Sequence, residues 1–105
     1  MLKKFQDMGK LLKQAQEMKS AMGQVQQELK ATKIPVNGMG GKIKIEIDGE
    51  LAILSVWIDP DLLNPARKKE LEEGLKKAFT EAISKAKDLA TSKLSAISGG
   101  LMPGQ

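Results

Sequence analysis

The side chains that could do chemistry are few, and their spacing rules out most kinds of it. Asp59 and Asp61 flank Pro60 and form a close carboxylate pair at the end of the strand pattern. Acid-base catalysis or metal binding there would need a third ligand or an imidazole, and the chain has no His and no Cys. An Asp-Pro step is, however, an ordinary strand-to-helix turn. Gly38-Met39-Gly40-Gly41-Lys42 has the glycines of a phosphate loop, but such a loop opens a helix and ends Gly-Lys-Ser/Thr, whereas Ile43 follows the lysine here. It is expected to be a flexible entry to a strand. No catalytic residue, metal site or cofactor is expected, and the chain does not read as an enzyme.

The remaining candidates are lysines. Lys3, Lys10 and Lys13 lie along one side of a helical pattern, with Lys4 beside them, and Lys85, Lys87 and Lys93 continue the basic character in a second helical segment. The formal charge is +4, unevenly distributed. Residues 1–33 hold seven lysines against three acids, residues 34–65 two against five, and residues 66–105 eight basic side chains against five acids. The helices are basic and the stretch between them acidic. By themselves these lysines serve solubility or DNA binding equally well. No aromatics interleave with them, so base stacking on single strands is unsupported, and few side chains other than glutamines suit reading base edges.

Three elements must position these lysines. Met1, Met8, Ala15, Met22 and Leu29, with Leu11, Met18 and Val25, form a heptad seam over residues 2–31, which predicts a helix of about 45 Å that must pack on another helix. Ile43, Ile45 and Ile47 alternate with Lys44, Glu46 and Asp48, and Asp48-Gly49 reads as a two-residue turn into a second strand, Leu51 to Ile58. That turn pairs Ile47 with Glu50, Ile45 with Ala52 and Ile43 with Leu54, and puts Leu54, Val56 and Ile58 on the buried face. Leu51, Ile53 and Trp57 then make the other face too apolar to be left to water. Asn64-Pro65 opens the second helix as N-cap and first residue. Leu71, Leu75, Ala78, Phe79, Ala82, Ile83, Ala86, Leu89, Ala90, Leu94 and Ile97 form its apolar stripe. The fold class is α+β: long N-terminal helix, antiparallel β-hairpin sheet, long C-terminal helix. Residues 1–98 read as a single helix-hairpin-helix domain and residues 99–105 as a flexible C-terminal tail.

With two Phe, one Trp and no Tyr in 105 residues, the chain lacks the large side chains of a self-sufficient core. A homodimer would supply the missing burial, and Leu51, Ile53 and Trp57 are its expected contact. No apolar run reaches the roughly 20 residues needed to span a bilayer, and the N-terminus has no hydrophobic signal segment. A cytoplasmic protein without membrane attachment is expected.

Gly40-Gly41 before Lys42-Ile43-Lys44-Ile45, the Asp48-Gly49 turn, Val56-Trp57-Ile58-Asp59-Pro60 with Leu62-Leu63, then Ala78-Phe79 and Ala82, and finally Gly99-Gly100 with Pro103-Gly104, resemble the YbaB/EbfC family of bacterial nucleoid-associated proteins. The match runs in order over nearly the whole chain. The resemblance implies a small cytoplasmic, nucleoid-associated homodimer whose paired hairpin regions hold helical arms apart, and whose arms bind double-stranded DNA. Trp57 stands where a polar or charged residue is more usual, and Leu51 and Ile53 are more apolar than the pattern, which points to an unusually apolar contact. The expected function is therefore binding of duplex DNA, mainly at its phosphates and with weak sequence preference. A prefoldin-like coiled-coil chaperone or protein-protein adaptor is the alternative. An interfacial membrane helix is less suited, because the stripe carries Met and Ala rather than Trp, Phe and Leu.

Overall fold

The structure is a computed structural model that describes the backbone of residues 2–101 and the side chains of residues 8–97. Helix α1 spans Leu2–Ala31, strands β1, β2 and β3 span Lys33–Gly38, Ile43–Asp48 and Ile53–Ile58, and helix α2 spans Lys68–Leu101. The sheet is antiparallel in the order β1-β2-β3. Two helices of 30 and 34 residues on so small a sheet make a rod, 77 × 23 × 16 Å.

Strand β1 is an addition to the expected hairpin. Lys33-Ile34-Pro35-Val36-Asn37-Gly38 alternates with Ile34 and Val36 turned inward, and it pairs Ile34 with Ile47, Val36 with Ile45 and Gly38 with Ile43. Pro35 donates no ladder hydrogen bond, which an edge strand tolerates. The glycines after it are not a loose entry but a tight strand-to-strand connection. Met39, Gly40 and Gly41 have φ of 52°, 67° and 94°, a left-handed run that glycine makes cheap.

Because β1 is present, α2 has a different bed from the one the sequence suggests. It lies over β1 and β2, burying Ala78, Ala82 and Ala86 against Val36, Ile43, Ile45 and Ile47. Each fully buried isoleucine contributes about 1.5–3 kcal/mol. Gly74 is part of this contact: a Cβ there would lie 2.8 Å from Met39 Cγ and 3.1 Å from Ile43 Cδ1, so the glycine makes room for Met39.

Strand β3 is left at the edge and largely uncovered, with Leu54 and Val56 both close to 45% exposed. Its register also differs from expectation. Ile43 faces Ile58, Lys44 faces Trp57 and Ile45 faces Val56, and a bulge between Glu46 and Ile47 restores Ile47 opposite Ile53. The two-residue turn is instead a three-residue loop, Gly49-Glu50-Leu51, whose last residue takes the left-handed conformation at φ 70°. Asp48, 4% exposed, holds the loop: its carboxylate accepts from the amides of Glu50 at 2.8 Å and Ala52 at 2.9 Å. Gly49 is needed for close approach rather than for its φ. Its amide donates to the Leu29 carbonyl at 2.7 Å, docking the hairpin on the end of α1.

The exit from β3 follows the sequence closely. Asp59 caps a short 3-10 turn at Pro60–Leu62 by accepting from Asp61 N, and Asn64 caps Pro65–Arg67 by accepting from Ala66 N, both at 2.9 Å. Helix α2 continues past Ser98 to Leu101; Met102 to Gln105, the rest of the expected tail, lie outside the described residues. Among the described residues, no helix is long and apolar enough to cross a membrane.

Candidate nucleic-acid interface

Among the described residues, α1 packs on α2 along its C-terminal part, Ala21 to Glu28 against Lys93 to Ile97. Val25 and Leu29 are buried, and Ala21, Gln24, Val25 and Glu28 share a shallow cleft with Lys93, Ala96 and Ile97. Lys93 Nζ reaches Glu28 Oε2 at 2.9 Å and ties the two helices together. Contacts move back along α1 as they move forward along α2, so the helices run antiparallel. Leu101 lies only about one turn beyond Ile97. The N-terminal half of α1 therefore projects past the end of α2 as an arm.

Lys10 and Lys13 are exposed on that arm, and among the described residues no carboxylate lies within ion-pair distance of either. The side chains of Lys3 and Lys4 lie outside the described residues. At about 100° per residue, Lys10 and Lys13 stand on the side of α1 facing away from Met8, Ala15 and Met22. The other candidates are more engaged. Lys85 pairs with Glu81 at 3.3 Å along α2, and Lys93 is the interhelix tie. Lys87 is exposed but lies about 200° around α2 from Lys85, so the two do not share one face. The geometry thus brings together the arm lysines and separates those of α2.

The body has a different electrostatic character. Glu70, Glu73 and Glu81 of α2 line a groove of about 430 Å³ with Asn37, Met39 and Lys77. On the outer sheet face Lys44 Nζ sits 5.3 Å from the centre of the Trp57 ring, a cation-π pair. Leu51, Ile53 and Trp57 are each 42–46% exposed on β3 and its loop. Asp59 and Asp61 are taken up in turn geometry, and no group of three or more potential metal ligands occurs among the described residues. Sequence reasoning missed that Leu54 and Val56 are exposed as well, and it put Ile53 on the wrong face: Ile53 lies opposite Ile47 and Val56 opposite Ile45, on the inward side, where α2 covers β1 and β2 and leaves them open.

The profile of the YbaB/EbfC DNA-binding family matches residues 4–101. The chain belongs to this family. Similar relatives include a nucleoid-associated protein of Rhodospirillum rubrum, 33% identical over 97 residues that cover 92% of this chain and 91% of the relative. Another is a nucleoid-associated protein of Ruminiclostridium cellulolyticum, 38% identical over 100 residues covering 93% and 87%. The crystal structure of an uncharacterized Helicobacter pylori protein superposes with a TM-score of 0.76 over 89% of this chain and 95% of that one. At 20% identity that likeness shows a shared fold. The YbaB/EbfC assignment makes this a member of a DNA-binding family, not of an enzyme family.

Proposed function

We propose that this YbaB/EbfC chain is a nucleoid-associated protein that binds duplex DNA as a homodimer, through phosphate contacts from the lysines of its projecting arms. The observation that carries the reading is the arm itself: Lys10 and Lys13 stand exposed beyond the end of α2 without carboxylate partners among the described residues. Lys3 and Lys4 extend the same end of the helix in sequence. Ammonium groups of this kind neutralise phosphates without reading bases, so the binding has weak sequence preference. Lys85, Lys87 and Lys93 are secondary contributors in this reading, since two of them already hold acidic partners.

Dimerisation is supported by β3. It is an edge strand with unpaired backbone groups along one side, and Ile53, Leu54, Val56 and Trp57 expose apolar surface on it. Leu51 at the loop tip adds to the patch. Two copies joined there bury each other's apolar strands and leave the arms free. Such a protein resides in the cytoplasm on the nucleoid and needs neither cofactor nor membrane.

One observation favours the chaperone-like alternative: Met8, Leu11 and Leu12 are 58–65% exposed on the arm, as a grip for unfolded clients would be. Gel-shift titrations of unrelated duplexes across several salt concentrations separate the two readings. Salt-steep binding of all duplexes alike, without suppression of client aggregation, supports the DNA reading. Equal or absent duplex binding at every salt concentration overturns it.

A further inference from the structure

The arm carries a second apolar surface, away from β3. Met8, Leu11, Leu12, Met18 and Met22 are 42–65% exposed, and with Ala15 they form a stripe about 21 Å long from residue 8 to residue 22. Helix α2 does not reach this stripe, because it packs on the side of Ala21, Val25 and Glu28. A shallow groove beside Ala15, Met18, Met22 and Gly23 is lined by α1 alone. Neither Gly9 nor Gly23 has any atom within 4 Å of where a Cβ would stand, so no contact within the chain calls for a small residue there.

The order of residues in the stripe indicates what covers it. Counting outward from Ala15, Leu12 is matched by Met18 three residues away on either side, and Met8 by Met22 seven away. Leu11 is matched by Lys19, whose methylenes can lie over a leucine while its ammonium stays in water. This mirror pattern is what a helix needs to meet an antiparallel copy of itself about a two-fold axis through Ala15. The small side chain at the axis permits close approach. The rim of the stripe is Gln14 and Gln16, so two copies bring no like charges together, and Lys10 and Lys13 point to the far side.

We propose that the arm stripe is an interface with the arm of a second copy, antiparallel and centred on Ala15, and that it joins two dimers while leaving the lysine side of each arm open to DNA. The joining of dimers rests on the homodimer reading above; the arm-to-arm contact does not.

Because the chain has no cysteine, one introduced thiol reports on the axis directly. In Ala15→Cys the two thiols of a symmetric pair meet within the roughly 4.4–6.8 Å Cα spacing that a disulfide needs. Oxidised glutathione, which is reduced as the disulfide forms, should link most of the chains. Lys13→Cys, on the opposite side, should link at least tenfold less. Adding Leu12→Gln and Met18→Gln to Ala15→Cys should abolish the link while far-ultraviolet circular dichroism stays unchanged. Sedimentation of linked Ala15→Cys as a four-chain species supports the proposal. If the unmodified protein sediments as a dimer and the linked species still holds only two chains, the arms pair within one dimer and the joining of dimers is overturned. If the unmodified protein is a monomer and the linked species a dimer, the arm contact stands while the β3 dimer fails. No Ala15→Cys link, or equal linking of Lys13→Cys, overturns the arm contact.

Discussion

Replacing Gly49 by alanine tests how the arm is set on the sheet. A Cβ at this position would lie 2.7 Å from the Leu29 carbonyl oxygen and 2.8 Å from Leu29 Cα, both backbone atoms that no rotamer can move aside. The hairpin tip must therefore back away from α1, which strains the hydrogen bond from Gly49 N to the same carbonyl, now 2.7 Å. Overpacking of this kind costs about 1–3 kcal/mol, and a lost backbone hydrogen bond adds about 1 kcal/mol. At roughly 4–8 °C per kcal/mol for a domain near this size, the melting temperature should fall by about 8–32 °C. Thermal unfolding followed by circular dichroism at one fixed protein concentration measures it, since association makes the midpoint concentration-dependent. Gly40→Ala is the control: it has φ 67° but no atom within 4 Å, so only the left-handed backbone cost of about 1–2 kcal/mol applies. If Gly49→Ala melts within about 2 °C of the parent, or if Gly40→Ala is the more damaging change, the close docking of the hairpin on α1 is wrong.

Lys10→Gln with Lys13→Gln should flatten the dependence of log affinity on log salt by up to about 1.8 per subunit, for all duplexes alike, in filter-binding or gel-shift titrations; an unchanged slope would remove the arm as the DNA surface. Lys93→Gln should alter duplex affinity far less, because its ammonium is held by Glu28, and as a partly exposed pair it should cost no more than about 1 kcal/mol in urea unfolding. Asp48→Ala leaves the part-buried amides of Glu50 and Ala52 without their acceptor and should destabilise by about 1–2 kcal/mol in the same assay, whereas Asp59→Asn, which keeps an acceptor for Asp61 N, should be nearly neutral. Trp57→Asp should shift sedimentation toward monomer at micromolar concentration; a monomeric parent would refute the β3 contact.

What the sequence disclosed followed from how local each signal is. The bounds of α1, the caps at Asp59 and Asn64 and the alternation of Ile43, Ile45 and Ile47 are set by side chains within a few residues of one another, and each stands where the pattern puts it. Strand β1 was hidden because Pro35 and the glycines on its C-terminal side read as punctuation, and only pairing with β2 turns Ile34 and Val36 into a buried row. The Asp48-Gly49 signal marks the turn but not its length: Asp48 pairs with Ala52 across a three-residue loop, and the small size of Gly49 serves the approach to Leu29, a contact with no local signature. That difference moved every β3 partner, while Leu54 and Val56 are exposed for another reason: α2 lies over β1 and β2 and leaves β3 uncovered. For the candidate site, helical spacing alone placed Lys10 and Lys13 on one side of the arm. The ion pair between Glu28 and Lys93 spans 65 residues and has no local signature.

The layout of charge follows from the same architecture. Helix α2 needs its small residues toward the sheet, so Ala78, Ala82 and Ala86 occupy one side and its acids take others. Glu70, Glu73 and Glu81 then fall beside β1, next to the carboxylates of the sheet, and this side of an otherwise charge-balanced body repels a polyanion. The arm escapes that field because it extends beyond the body: at physiological ionic strength charges separated by more than about 8 Å are largely screened, and the arm alone adds several turns of about 5.4 Å each past the end of α2. A shorter α1 would keep its lysines within reach of those acids. The length of the helix is thus part of the binding surface, since it carries the cations to where a duplex meets them away from the carboxylates of the body.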